Sequence, residues 1–259
     1  MSEHEPKKRR TLGVVGLAVS LGLATFLLGF TWRDAPGSGF IQETLQSAWQ
    51  GALNAARGPV RVGIQVGHEN VAAHPEELAR LRYNTGGHAN GLDEVDLNRA
   101  VAQALKERLE AYGVTVELLS ATPPPSYYAD LFLSLHADSV ADPTRRGYKS
   151  AYFEPERNPL EPRLKAYVDR AYLSASGFPD DHHNTTRNMH RYYAFNAWRY
   201  QHSVHPGTPA LLVEMGYLSS EADMAFLDYP EQPAAALSRG IIEFLQAQGR
   251  LPAELVEVD

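Results

Sequence analysis

Residues 60–68 read VRVGIQVGH, a run of apolar and β-branched residues that ends in a glycine and a histidine. Such a run predicts a buried strand over residues 60–66. Residues 93–112 read DEVDLNRAVAQALKERLEAY and place apolar residues at helical spacing. Gly113 follows as a C-terminal cap. A strand that leads into a helix of this length is the repeating unit of an α/β fold.

The same alternation continues along the chain. Further strands are predicted over residues 114–119, 130–135, 148–153 and 209–215, and further helices over residues 160–176 and 234–248. Strands that alternate with helices indicate an α/β fold with a mostly parallel sheet flanked by helices. We expect a single catalytic domain over residues 60–249, followed by a short tail over residues 250–259.

The composition excludes several classes of protein. Of the 259 residues, 44% are hydrophobic, which is enough for a folded core. The chain has no cysteine, so disulfide frameworks, thiolate zinc sites and cysteine nucleophiles are excluded. The net charge is −7, and residues 1–10 carry +2, so the remaining residues carry −9. A chain this acidic is a poor binder of a phosphate backbone, and we expect no nucleic-acid partner.

The N-terminal region predicts a membrane anchor. Residues 11–32 read TLGVVGLAVSLGLATFLLGFTW, 22 residues without a charge, which is long enough to span a bilayer as a helix. The basic tail over residues 1–10 favours a cytoplasmic N-terminus with the domain outside the membrane. Residues 33–59 form a tether with a short amphipathic helix over residues 41–56. The alternative is a cleaved signal peptide that releases a secreted domain.

Titratable residues follow the strands at one edge of the predicted sheet. His68 follows the first strand, His136 ends the third, and Glu214 ends the strand over residues 209–215. Glu94 opens the helix that follows the first strand. The carboxyl ends of parallel strands meet at one edge, where ligands bind in open α/β sheets. Each residue alone is compatible with a structural role, but their convergence favours a metal site.

Two imidazoles and one carboxylate form the ligand set of a hydrolytic zinc site. Glu94 fits the third ligand beside His68 and His136. Glu214 fits a general base, because it ends an apolar run where partial desolvation raises the pKa of a carboxyl group.

The chain resembles a known family over residues 60–244. Four blocks carry the resemblance in the family's order: VGIQVGHEN (62–70), GLDEVDLNRAVAQALKERLEAYGVTV (91–116), ADLFLSLHADS (129–139) and TPALLVEMGYLSSEADMAFL (208–227). They are similar to the zinc-dependent N-acetylmuramoyl-L-alanine amidases, bacterial cell-wall hydrolases. The resemblance implies Zn²⁺ bound by His68, Glu94 and His136, with Glu214 as the catalytic glutamate. It also implies peptidoglycan as substrate, cleaved at the amide between N-acetylmuramic acid and L-alanine.

Some residues depart from the family pattern. Gln65 stands where the family usually has aspartate, two residues before the glycine of the first block, and this change bears on the support of the metal site. Two alternatives therefore stay open: a weakly active module of the amidase fold that binds wall peptides, and a zinc peptidase that acts on stem peptides. Arg187 and Arg191 are candidates for binding a carboxylate of the stem peptide. The sequence identifies no protein activator.

Overall fold

Strands and helices alternate in the computed structural model, which describes Trp49, Asn54 and residues 56–254. The strands in this part are β1 (Arg61–Val66), β2 (His88–Ala89), β3 (Leu92–Asp93), β4 (Thr115–Leu119), β5 (Leu131–Asp138), β6 (Lys149–Ala151) and β7 (Ala210–Tyr217). The α-helices are α1 (Glu94–Ala111), α2 (Glu161–Ser176), α3 (Arg187–His190), α4 (Glu221–Leu227) and α5 (Glu231–Ala247).

Five of these strands form one sheet in the order β4-β1-β5-β7-β6. The pairs β1/β4, β1/β5 and β5/β7 are parallel, and β6 pairs with β7 in the antiparallel direction at the edge. The prediction of an α/β fold with a mostly parallel sheet is confirmed. The predicted strand over residues 148–153 is shorter in the structure, because Tyr148 forms an isolated bridge with Asp180 and only Lys149–Ala151 pairs with β7.

The two faces of the sheet are covered differently. Alternate residues of β1, β5 and β7, such as Ile64, Leu133 and Val213, pack against α1, α2 and α5 in the main core. The opposite face packs against less regular parts of the chain around Tyr127 and Phe195. Because side chains alternate along a strand and paired residues share a face, four polar residues near the strand ends lie on this second face: Gln65, paired with Ser134, and His136, paired with Glu214.

Several predicted features lie outside the described residues. These are the basic tail, the membrane segment over residues 11–32, and nearly all of the helix predicted over residues 41–56. In the part of the chain that the structure covers, no helix has the length and hydropathy needed to cross a bilayer. Residues 60–254 lie in one compact unit. Arg250, the first residue of the predicted tail, is buried and its Nε donates to Asp130 Oδ1 at 2.7 Å.

Candidate metal centre and active site

The three predicted metal ligands converge at the carboxyl edge of the sheet. His68 follows β1, Glu94 is the first residue of α1, and His136 lies in β5. One ligand atom from each lies within 4.8 Å of the other two. Glu94 Oε1 lies 3.4 Å from His68 Nε2 and 2.9 Å from His136 Nδ1. Among the described residues, no other group of histidines and acids is arranged to hold a metal.

The carboxylate of Glu94 is held by neighbouring N–H groups. The amide of Gly87 donates to Oε2 at 2.8 Å, and the amides of Asn98 (side chain) and Ala137 (backbone) lie 3.3 Å from Oε1. Burial opposes ionisation of Glu94, but the hydrogen bonds from His136 and His68 outweigh it and hold the pKa of this carboxyl well below its usual range. The side chain is therefore in the anionic form that a metal requires.

The ring of His68 is fixed by its neighbours. His68 Nδ1 lies 2.8 Å from the carbonyl oxygen of Asn84. A carbonyl only accepts, so the hydrogen-bond network assigns a proton to Nδ1, and Nε2, which faces Glu94, is the nitrogen left to bind a metal. The backbone of His68 is left-handed, with φ of 65°. Gly86, also at positive φ, packs so closely that an added Cβ would lie 2.9 Å from both His68 and Glu94 Oε2.

The tautomer of His136 follows from a chain of hydrogen bonds. Gln65 Nε2 donates to the carbonyl of Ala121 at 2.6 Å, which turns Gln65 Oε1 toward Tyr192. The Tyr192 hydroxyl donates to that oxygen at 3.0 Å, so its own oxygen accepts from His136 Nε2 at 3.1 Å. His136 Nδ1, which lies 2.9 Å from Glu94 Oε1, is then the nitrogen left to bind a metal. Gln65, the departure from the family pattern, thus orients a candidate ligand through Tyr192.

This donor set fits zinc. Two imidazole nitrogens and one carboxylate oxygen converge, and all three are groups that bind zinc in their deprotonated form. Three protein ligands of this kind are typical of catalytic zinc sites, in which the fourth position binds water or substrate.

Glu214 lies next to this cluster on the same face of the sheet. Its Cα pairs with His136 of β5 on one side and with Lys149 of β6 on the other. Its Oε2 is excluded from solvent and has no hydrogen-bond partner among the described residues. Burial, together with the negative charges of Glu94 and Asp138, raises the pKa of Glu214 well above its ordinary value, and the Lys149 ammonium opposes this rise.

Lys149 belongs to this site but was not predicted from the sequence. Its side chain is only 2% exposed, and Nζ donates to Asp138 Oδ2 at 2.6 Å and to the Tyr217 hydroxyl at 2.8 Å. The Tyr217 hydroxyl in turn donates to Asp181 Oδ2 at 2.6 Å. This network holds one positive charge beside Glu214. The signal that points to it is a lysine inside the predicted strand over residues 148–153, between Tyr148 and Ser150.

Two cavities open from the cluster. One, of about 210 Å³, is lined by all four candidate site residues together with Asn84, Gly86, Gly87, Ala137, Asp138 and Ser139. The other, of about 160 Å³, is lined by His68 and His136 and also by Tyr192, Arg80 and Arg191. Arg187, the other arginine considered from the sequence, is exposed on α3 and lines neither cavity.

A comparison with models of protein families identifies the family of the chain. Residues 62–243 match the family model described as N-acetylmuramoyl-L-alanine amidase. The chain belongs to this family. The resemblance found in the sequence is thereby confirmed, and the chain is an amidase that acts on peptidoglycan. A search of curated proteins returned no match.

Solved amidase structures share the fold. The chain is 22% identical to the amidase AmiC2 of Nostoc punctiforme, with a TM-score of 0.52 and coverage of 73% of this chain and 98% of that one. It is 21% identical to the amidase Ami1 of Mycobacterium smegmatis, with a TM-score of 0.51 and the same coverage. It is 20% identical to the catalytic domain of CwlV from Bacillus (Paenibacillus) polymyxa, with a TM-score of 0.50 and coverage of 72% of this chain and 98% of that one. At these sequence identities, the similarity to the solved structures is evidence for the fold of this chain.

Proposed function

We propose that this amidase is zinc-dependent and that it cleaves the amide between the lactyl group of N-acetylmuramic acid and L-alanine. The observation that carries the proposal is the convergence of His68, Glu94 and His136 within 4.8 Å. Beside it stands the Glu214 carboxyl, whose buried Oε2 has no partner among the described residues. A bound zinc polarises a carbonyl and lowers the pKa of a water molecule.

The protein residues supply the proton transfers. Glu214 accepts the proton of the attacking water and then donates it to the nitrogen of the leaving L-alanine, so that the amine leaves neutral. Its raised pKa suits the first step, because it makes the carboxylate a stronger base than that of an ordinary glutamate. Lys149 limits the rise in the pKa of Glu214, because its ammonium group favours the carboxylate form that begins the cycle.

The products of cleavage test this function. The intact zinc-loaded chain is incubated with purified muropeptides, and the products are identified by mass spectrometry. We expect free stem peptides and sugars that retain the lactyl carboxyl. Shortened stems that stay attached to the sugar would identify a zinc peptidase, and unchanged muropeptides would identify a module that binds without cleaving.

We also propose that residues 11–32 anchor the amidase in the cell membrane, with residues 1–10 in the cytoplasm and the domain outside. The uncharged stretch of 22 residues after a basic tail supports this orientation. Protease added to intact spheroplasts should digest the domain and spare the N-terminal tail. A domain that resists protease until the cells are lysed contradicts the orientation, and a shortened N-terminus in the mature protein indicates a cleaved signal peptide.

A further inference from the structure

The cavity of about 160 Å³ joins the candidate metal site to two arginines. His68 and His136 line this cavity, and Arg80 and Arg191 line it too. Arg80 lies in the 3₁₀ helix Glu76–Leu81 between β1 and α1, whereas Arg191 directly follows α3. Two segments that are distant in sequence therefore bring positive charge to one cavity.

Neither of these arginines is neutralised by the protein in the part of the chain that the structure describes. Arg80 Nη2 donates to the Tyr200 hydroxyl at 3.3 Å, and the Arg191 guanidinium lies 5.5 Å from the centre of the Phe153 ring. By contrast, other arginines of the domain do form ion pairs with carboxylates: Arg61, Arg82, Arg99, Arg146, Arg157, Arg170 and Arg250. In an acidic chain, two unneutralised guanidinium groups at one cavity indicate a site for an anion.

The chemistry of the substrate identifies the anion. This step rests on the proposed function. In a muramoyl-peptide the lactyl carboxyl is part of the scissile amide, so the sugar side carries no carboxylate and the anionic groups lie on the peptide side. Because His68 and His136 line the cavity, the group that enters it is close to the scissile bond. We propose that Arg80 and Arg191 bind the carboxylate of the residue that follows L-alanine in the stem peptide.

The physical basis is the match between guanidinium and carboxylate. A guanidinium presents its N–H donors in a planar fork that binds a carboxylate through two parallel hydrogen bonds, and a neutral amide forms weaker ones. The subsite therefore distinguishes a free carboxylate from its amide. Since both arginines are exposed at the cavity, the discrimination is reduced by salt.

A binding measurement tests the subsite without cleavage. The full chain carrying Glu214→Gln is loaded with zinc and titrated with N-acetylmuramoyl-L-alanyl-D-glutamate and with the form whose α-carboxylate is amidated. We expect the acid to bind about tenfold more tightly at low salt. Arg80→Met and Arg191→Met, added singly, should each lower the affinity for the acid and leave that for the amide unchanged. Arg187→Met is the matched control, because Arg187 lines neither cavity.

A salt titration of the protein that retains both arginines tests the subsite without these substitutions, so its result does not depend on whether an arginine variant folds. The preference for the acid should decline as salt is raised. Equal binding of acid and amide at low salt, or a preference that survives both substitutions together, overturns the subsite. The proposed function is tested separately. If the chain prefers the acid but releases no stem peptide from muropeptides, the amidase mechanism is wrong and the subsite is retained.

Discussion

At the scale of single residues, two glutamates of the same site are held in opposite states. Glu94 accepts hydrogen bonds from Gly87 and from the two candidate histidine ligands, and its pKa is lowered. Glu214 is half-buried, its Oε2 is excluded from solvent and has no donor among the described residues, and the negative charge of Glu94 adds to the effect of burial in raising its pKa. The surroundings thus favour a permanent carboxylate at the first position and a group that exchanges protons at the second.

This difference predicts opposite consequences for the same substitution. Glu214→Gln should keep the zinc and lower turnover about 10²–10⁴-fold, because an amide cannot accept the proton. Glu94→Gln should lose zinc, because a neutral amide is a poorer ligand than a carboxylate. Zinc content by elemental analysis and turnover on a soluble muropeptide separate the two effects, with the exposed Glu156→Gln as the control. Near-normal turnover in Glu214→Gln contradicts its role as base, and zinc lost from Glu214→Gln but retained in Glu94→Gln reverses the two assignments.

Tyr192 is the residue whose loss should affect zinc without removing a ligand. Tyr192→Phe deletes the hydroxyl that accepts from His136 Nε2, so the imidazole is no longer held in the tautomer that presents Nδ1. Loss of such a partner typically costs 10–100-fold in metal affinity. Competition with a chromophoric chelator measures the change, and Tyr83→Phe, at a side chain that is 92% exposed, is the control. Equal zinc affinity in both variants shows that the hydrogen bond to Tyr192 does not orient His136.

At the scale of secondary-structure elements, hydrophobic periodicity and strand order were enough to predict the strands of the sheet and the edge at which the site lies. The strands β1, β5 and β7 were located from their apolar runs, and parallel pairing brings their carboxyl ends to one edge, where His136 pairs with Glu214. Asn98 was within reach of the same reasoning, since it lies four residues after Glu94 on α1 and donates to it.

The contributions of Tyr192 and Arg80 could not be predicted in this way. Both lie in segments with no regular hydrophobic period, and Tyr192 reaches the site from a distant part of the sequence. Tyr192 contacts Gln65 across 127 positions, and only the folded structure supplies such a contact. Gly86 and Gly87 belong to no motif in the sequence, and the structure shows that both are close neighbours of Glu94.

His182 links α2 to the segment around Asp180 through ion pairs with two aspartates. His182 Nε2 lies 3.2 Å from Asp169 Oδ2 of α2, and Nδ1 lies 2.5 Å from Asp180 Oδ1. Burial lowers the pKa of His182, but the hydrogen bond and charge of Asp169 outweigh it, so the pKa is raised above the ordinary value of about 6.5. A histidine whose pKa is higher in the folded state contributes its full stabilisation below the unfolded pKa and loses it as pH rises through the folded pKa.

We therefore expect the free energy of unfolding of the wild type to fall relative to that of His182→Asn as pH rises above about 6.5. Urea denaturation across this range, with zinc content held constant, measures the difference between the two curves. His183→Asn, at a side chain that is 76% exposed, is the control and should follow the wild type. Parallel curves for the wild type and His182→Asn contradict the linkage.

At the scale of the whole molecule, the candidate ligands come from three separate parts of the fold. His68 lies beyond the end of β1, Glu94 begins α1, and His136 lies on β5. The left-handed backbone at His68 is a conformation that a non-glycine residue keeps only when its surroundings fix it, which is typical of functional sites. A metal at this point therefore ties together elements on both sides of the β1–α1 connection, and its binding free energy adds to that of folding.

Removal of the metal should accordingly destabilise the entire domain. A ligand that binds only the folded state stabilises it by about 2.7 kcal/mol when present at 100 times its Kd. We expect zinc at that excess to raise the free energy of unfolding of the wild type by about this amount, and a chelator to reverse the gain. His136→Ala should show little gain, because two remaining ligands hold zinc poorly, whereas the exposed His183→Ala should respond as the wild type does. Urea denaturation with and without zinc, together with elemental analysis, provides the measurement. Full zinc content and an undiminished gain in His136→Ala would remove His136 from the ligand set and, with it, the proposed metal centre.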